Sequence, residues 1–192
     1  NTQLKVRLND NFSECYKYER GVRQGCPTSP MLFDIFIDDL LEGMKPIKIP
    51  NLDSGIAGLC FADDTLLLGD NLDDFQENIN KLEVWCRKND MEVNAKKCGI
   101  ISYSQRNIET TIKYKDEEIP KLEKYAYLGV ELNKNLDFKE MGKYRMRTGL
   151  ATLDAIKKSL ANNNMPMKYK QMLIKGLLLP RMSYGIDIYG FR

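Results

Sequence analysis

The sequence predicts an α+β protein: antiparallel strand pairs with packed helices over residues 1–138, then a small helical region over 139–192. Three observations predict it. Turn residues divide the apolar runs at 1–21 and 58–70 into hairpins, apolar residues recur at helical spacing in 30–43 and 73–89, and from 139 onward the periodicity marks two helices. With 192 residues and 43% hydrophobic content, the chain can bury a real core.

In order, "LKVRLND" and "FSECYKYERG" read as two short strands joined by a turn at Asn9, Asp10 and Asn11. In "GVRQGCPTSPMLFDIFIDDLLEGM", Ser29 reads as an N-cap and Pro30 as the first helical residue. Phe33, Phe36, Ile37, Leu40 and Leu41 then carry a helix to about Gly43. "KPIKIPNLDSG" is a proline-rich connection into the hairpin "GLCFADDTLLLGD". Asp73 and Gln76 have capping-box spacing, and Phe75, Ile79, Leu82 and Cys86 mark one face of a helix that ends near Asn89. "MEVNAKKCGIISYS" reads as a strand, and "TIKYKDEEI" with "YAYLGVEL" as a second small sheet. In the tail, Leu150, Leu153, Ile156 and Leu160 supply a buried stripe, with Lys143, Arg147 and Lys158 on another face. "ANNNMP" breaks that helix. A second starts near Pro166, runs through Tyr169, Leu173 and Leu177, and stops before Pro180, whose nitrogen cannot donate.

Composition removes several chemistries. No histidine is present, so Ser-His-Asp and Cys-His catalysis are excluded, as are the usual zinc sets; carboxylate, lysine and tyrosine remain. The five cysteines form no CxxC pair and suggest a reduced compartment. The apolar runs are far short of a membrane span and the first ten residues hold no signal-peptide core, so an intracellular protein, cytoplasmic or nuclear, is expected. Net charge is only +2, but residues 1–93 carry 10 basic and 17 acidic groups, and residues 139–192 carry 11 basic and 3 acidic. An acidic half beside a basic tail suits a cation site next to a phosphate-binding surface, and equally a chance asymmetry of solvated faces.

The consecutive Asp63 and Asp64 stand at the tip of an apolar hairpin with no neutralising neighbour in sequence. Divalent cations would supply the missing charge, since hard cations prefer carboxylate oxygens. Two such metals could activate a hydroxyl and stabilise the leaving oxygens of an in-line phosphoryl displacement. An ordinary turn with exposed aspartates is the plainer reading of the pair alone. Asp34 and Asp38 share a helical face and, with Asp39, read as a solvated surface.

"RGVRQGCPTSPMLF", then "FADD", "NAKKC", "YLGV" and finally "LLLPRMSYGIDIYG" resemble, in type, order and spacing, the reverse transcriptase domain of non-LTR (LINE-type) retrotransposons. The resemblance covers nearly the whole chain. It implies a partial polymerase palm over 1–138 and a helical thumb over 139–192. Asp63 would bind catalytic Mg2+ and Asp64 would support the metal site. Arg23, Gln24 and Gly25 would flank the incoming deoxynucleoside triphosphate and template base. Asn94 and Lys97 fit an Asn-x-x-Lys pattern whose lysine faces the leaving pyrophosphate; alternation along a strand leaves open whether Lys96 or Lys97 points inward. Leu128 and Gly129 would grip the primer end, or Leu128 is simply a core strand residue. Lys143, Arg147, Lys158, Lys168 and Lys170 would lie on the backbone of an RNA template and DNA primer.

The same resemblance calls for another aspartate upstream of the "RQG" loop, and Asp10 is the only one ahead of Gly21, in a turn. The expectation is therefore a fragment that alone does not polymerise. It would pair through an open sheet with the missing palm and fingers half or with a second copy; the competing expectation is a non-catalytic nucleic-acid-binding or scaffolding module.

Overall fold

A computed structural model describes residues 3–17, 20–103 and 111–189, with the side chains of Phe138 and Tyr189 outside the description. The predicted strand ends at Tyr18, Glu19 and Ser104 lie outside the described residues. The chain divides into two units, residues 1–93 with 112–116, and residues 94–111 with 117–192. Helices and small antiparallel two-stranded sheets make an α+β fold, as the sequence predicts.

The first unit opens with one hairpin whose ladder is interrupted. β2 (Arg7–Leu8) pairs with β3 (Asn11–Phe12) across a turn in which Asn9 has a φ of 54°, and β1 (Gln3–Leu4) pairs with β4 (Tyr16–Lys17). α1 spans Ser29–Ile37, shorter than the sequence predicts. Beyond it, Leu40, Glu42 and Met44 each donate to the carbonyl three residues back, so tight turns replace the last helical turn as far as Gly43. Thr28, not Ser29, is the N-cap; the Ser29 hydroxyl donates instead to the Arg23 carbonyl at 2.6 Å.

β5 (Gly58–Phe61) and β6 (Asp64–Leu67) form the predicted second hairpin, with Phe61 opposite Asp64 and Leu59 opposite Leu66. α2 follows over Leu72–Lys88 and organises the unit. Its N-cap is Asn71, whose side chain accepts from the Asp74 amide, and this displaces the predicted capping box. Gln76 is freed to bracket Lys113, donating to its carbonyl at 2.8 Å and accepting from its amide at 2.9 Å. The fully buried Asn78 does the same to Lys45, at 2.9 and 2.7 Å. Each side-chain amide thus replaces a strand partner for one exposed peptide. Ile37, Leu40, Met44, Ile79, Cys86, Ile112 and Tyr114 fill the core beside these bonds, with Tyr114 on β7 (Lys113–Tyr114).

In the second unit the predicted strand over 91–104 is replaced. Ala95–Lys97 form a single 3₁₀ turn closed by Lys97 and Cys98 amides on the Asn94 and Ala95 carbonyls, and Ile100 makes one parallel bridge to Lys121. Local i→i+3 bonds satisfy the backbone where a ladder was expected. The predicted single sheet also separates: β8 is Glu117–Glu118, whereas β9 (Lys124–Tyr127) pairs with β10 (Val130–Asn133) alone.

α3 runs over Phe138–Ala161, N-capped by Asp137. Its buried face is Met141, Gly149 and Ile156; Leu150 and Leu153 are exposed, at 50% and 36%, so the predicted stripe is rotated. The cause is the small residue at 149: a Cβ there would meet Met182 at 2.5 Å. α4 (Met167–Leu173) passes through a π turn, Ile174–Leu178, into α5 (Leu179–Ser183), and α6 is Ile186–Tyr189. The helix therefore does not stop before Pro180. Leu179 donates five residues back to Ile174, and Pro180 lands at the start of α5, where a missing N–H costs nothing.

Candidate functional site

Candidate residues fall in each of the two units. In the first, the β5–β6 hairpin is closed by the two residues Ala62 and Asp63, with Asp64 the first residue of β6. Ala62 holds a φ of 49°, a left-handed conformation that an alanine adopts at a cost of about 1 kcal/mol. That turn throws the Asp63 carboxylate off the end of the ladder. Antiparallel pairing sets Asp64 on the face that also carries Leu59 and Phe61, which are 49% and 63% exposed. Asp63 and Asp64 are both exposed, and among the described residues no lysine or arginine forms an ion pair with either. As donors, two adjacent free carboxylates fit a hard divalent cation. Among the described residues, however, no cluster of three or more Asp, Glu or Cys could enclose one.

Arg23, Gln24 and Gly25 lie exposed in the loop before α1. Their backbone is pinned at one point, where the Arg23 carbonyl accepts from both the Ser29 hydroxyl and the Cys26 amide. Gly25 has a φ of +81° and a Cβ built on it meets nothing within 4 Å, so its glycine answers a backbone need and leaves open space above the loop. Thr28 and Ser29 hydrogen bonds, the Thr28 side chain first, hold the nearby Cys26 thiol below its usual value. Asp34 and Asp38 are exposed, as read from the sequence, while Asp39 accepts from the Trp85 indole at 2.7 Å.

In the second unit, Lys96 and Lys97 are both exposed on the 3₁₀ turn, so strand alternation does not decide between them. The Tyr125 hydroxyl donates to the Lys97 carbonyl at 2.9 Å and ties that turn to β9. Leu128 and Gly129 form the two-residue turn between β9 and β10, with φ values of 46° and 73°. Leu128 is a turn residue, not part of a strand.

Lys143, Arg147 and Lys158 fall within about 60° of one another around α3, a single face. Lys143 also donates to Glu140 at 2.6 Å, and that bond pushes its ammonium up and the Glu140 carboxyl down. Arg147, Lys158 and Lys168 are exposed and Lys170 is half-buried; among the described residues none of the four has an acidic partner. The sequence reading missed Arg145, Arg181 and Tyr184, which line a cavity of about 570 Å³ with Leu128, Gly129 and Leu177. Tyr184 lies within the "LLLPRMSYGIDIYG" stretch that carries the resemblance, but nothing in that stretch singles it out.

The family described as reverse transcriptase (RNA-dependent DNA polymerase) matches residues 2–132. The chain is 24% identical over 180 residues, 88% of its length, to the RNA-directed DNA polymerase from mobile element jockey of Drosophila melanogaster. It is 31% identical over 182 residues, again 88% of its length, to a retrovirus-related Pol polyprotein from type-1 retrotransposable element R2 of Popillia japonica. It spans 19% and 29% of those two relatives. The chain belongs to the reverse transcriptase (RNA-dependent DNA polymerase) family, as a domain of the non-LTR, LINE-type kind.

Proposed function

We propose that these residues are the catalytic palm hairpin, primer-holding turn and helical thumb of an RNA-directed DNA polymerase that adds nucleotides to a primer 3′ hydroxyl. The observation that carries this reading is the Asp63–Asp64 couple on a hairpin tip, without an ion-pair partner among the described residues, within a chain whose family match spans residues 2–132.

Asp63 and Asp64 would hold divalent metal, taken as Mg2+, which when bound supplies charge neutralisation to the reacting phosphate oxygens. The hairpin's own contribution is placement: the left-handed Ala62 sets Asp63 beyond the last pair of the ladder, and among the described residues no lysine or arginine forms an ion pair with it. Arg23, Gln24 and Gly25 would border the deoxynucleoside triphosphate and template base, with the free space above Gly25 admitting the ligand. Lys97, held through its carbonyl by Tyr125, would face the pyrophosphate and donate a proton or its charge. Leu128 and Gly129 would support the primer end, and Lys143, Arg147, Lys158, Lys168 and Lys170 the duplex backbone. Palm and thumb divide at 138/139 in this reading.

Two carboxylates do not complete a two-metal site, and among the described residues no further acid joins them; in this reading a third carboxylate comes from the part of its relatives that the chain does not span. Primer extension tests this. A longer polypeptide that includes this stretch and the upstream part of its relatives is expected to extend a DNA primer on RNA, and Asp63→Asn to lower the rate at least about 100-fold. Robust extension by the 192 residues alone would contradict the need for a third ligand. A second reading, a nucleic-acid-binding module without catalysis, is favoured by the absence of a third acid near the pair among the described residues. It predicts hybrid binding with no extension in any longer form.

A further inference from the structure

The turn at Leu128 and Gly129 is strained and held from outside. Two-residue hairpin loops with both φ values positive are type I′ turns, which favour asparagine or glycine at the first position. Here that position is Leu128, with a φ of 46°. Both turn carbonyls are taken by side chains from the helices that follow. The Tyr184 hydroxyl, from the end of α5, donates to the Leu128 carbonyl at 2.7 Å. The Arg145 guanidinium, from α3, donates to the Gly129 carbonyl. The two clamps also lock each other, because the Arg145 guanidinium lies 4.6 Å from the centre of the Tyr184 ring. A Cβ at 129 would make only ordinary contact with that ring, at 3.4 Å, and with the guanidinium, at 3.6 Å, so it is the φ of 73° and not a lack of space that favours glycine there.

We infer that Arg145 and Tyr184 are positioning residues for the primer terminus: they set the geometry of the 128–129 turn and couple it to the basic helices that hold the duplex. This rests on the reading of that turn as primer-holding. Neither side chain needs to touch the reacting atoms. Their effect is to keep a disfavoured turn in one shape, so that an end-bearing ligand meets a preformed support rather than paying to order it.

Two measurements on the 192-residue chain test this, each on wild type, Tyr184→Phe and Arg145→Lys. The first is amide hydrogen exchange across the 124–133 hairpin, which needs no nucleic acid. The second is anisotropy with two RNA–DNA hybrids of equal length and charge, one with the DNA strand recessed at its 3′ end and the other at its 5′ end. Wild type is expected to prefer the 3′-recessed hybrid. Tyr184→Phe, which removes only the hydroxyl, should speed exchange in the hairpin and cut that preference by about two- to tenfold, the worth of one net hydrogen bond. Binding to the 5′-recessed hybrid should not change. Arg145→Lys keeps the charge but not the planar stack and should behave alike. Unchanged exchange in both variants would overturn the clamp. Faster exchange with the 3′ preference intact would reduce the pair to a structural role and overturn the positioning claim. Equal affinity of wild type for the two hybrids would instead remove the primer-holding reading itself, and the inference with it.

Discussion

If Asp63 and Asp64 hold metal as proposed, the alanine before them presents the pair. Ala62 at a φ of 49° aims the pair, and strain of this kind is tolerated where surrounding structure fixes it. Ala62→Gly should leave stability unchanged or raise it by up to about 1 kcal/mol, whereas Ala62→Val, β-branched in a left-handed turn, should lower it by about 1–2 kcal/mol in urea unfolding. The acid pair itself was legible in the sequence, because two adjacent carboxylates in an apolar hairpin need an explanation. The backbone that presents them was not, since alanine carries no turn signal. Arg145 and Tyr184 were hidden for another reason: Tyr184 reaches a carbonyl 56 residues away, and no local spacing records such a bond. Lys96 and Lys97 show the limit from the other side, where a strand pattern gave way to a 3₁₀ turn and removed the argument meant to separate them.

Among the elements, α2 carries the first unit. Its apolar face was legible, with Ile79 and Cys86 buried as the spacing predicts. Its polar bracing was not, because Gln76 read as a capping-box partner of Asp73 and no spacing marks Asn78 until the peptides they bracket are known. Asn78→Ala should cost about 1–3 kcal/mol, measured by denaturant midpoint, since it strips partners from the amide and carbonyl of Lys45. The same helix sets an acid limit. Hydrogen bonds from the Lys45 ammonium, at 2.5 and 2.7 Å, hold Asp74 and Glu77 below their usual values of 3.8 and 4.5, with Asn71 and Lys81 assisting. Because the folded values are depressed, this stabilisation is present above about pH 4.5 and is lost as pH falls through them. Wild type should therefore lose more stability between pH 7 and pH 3 than Glu77→Gln does; equal losses would show the network to be inert. In the tail, helices were legible but their facing was not. Gly149 and the π turn ahead of Pro180 rotate the contacts away from Leu150 and Leu153, a consequence of packing that no periodicity encodes.

Across the whole molecule, charge and apolar surface point outward. No helix among the described residues is long and apolar enough to cross a membrane. Leu8, Phe12, Leu59 and Phe61 are each about half exposed or more, apolar surface that, in the proposed reading, pairs with the rest of a polymerase or with a second copy. Light scattering should show association at high concentration, and a clean monomer would speak against it. If the five basic tail residues contact phosphates, hybrid affinity should fall with salt at a log–log slope of about −3 to −5, and a slope near zero would remove the thumb assignment. The order of motifs made the family legible, because motif order survives even where individual strands were misplaced.

The claim on which the scheme stands is that Asp63 and Asp64 attract a divalent cation. Mn2+, a paramagnetic stand-in for Mg2+, tests it directly when titrated into the chain bound to an RNA–DNA hybrid and followed by amide resonance broadening. The account predicts broadening centred on residues 61–66 that disappears in Asp63→Asn; an unaffected hairpin, or broadening that survives the substitution, would contradict it.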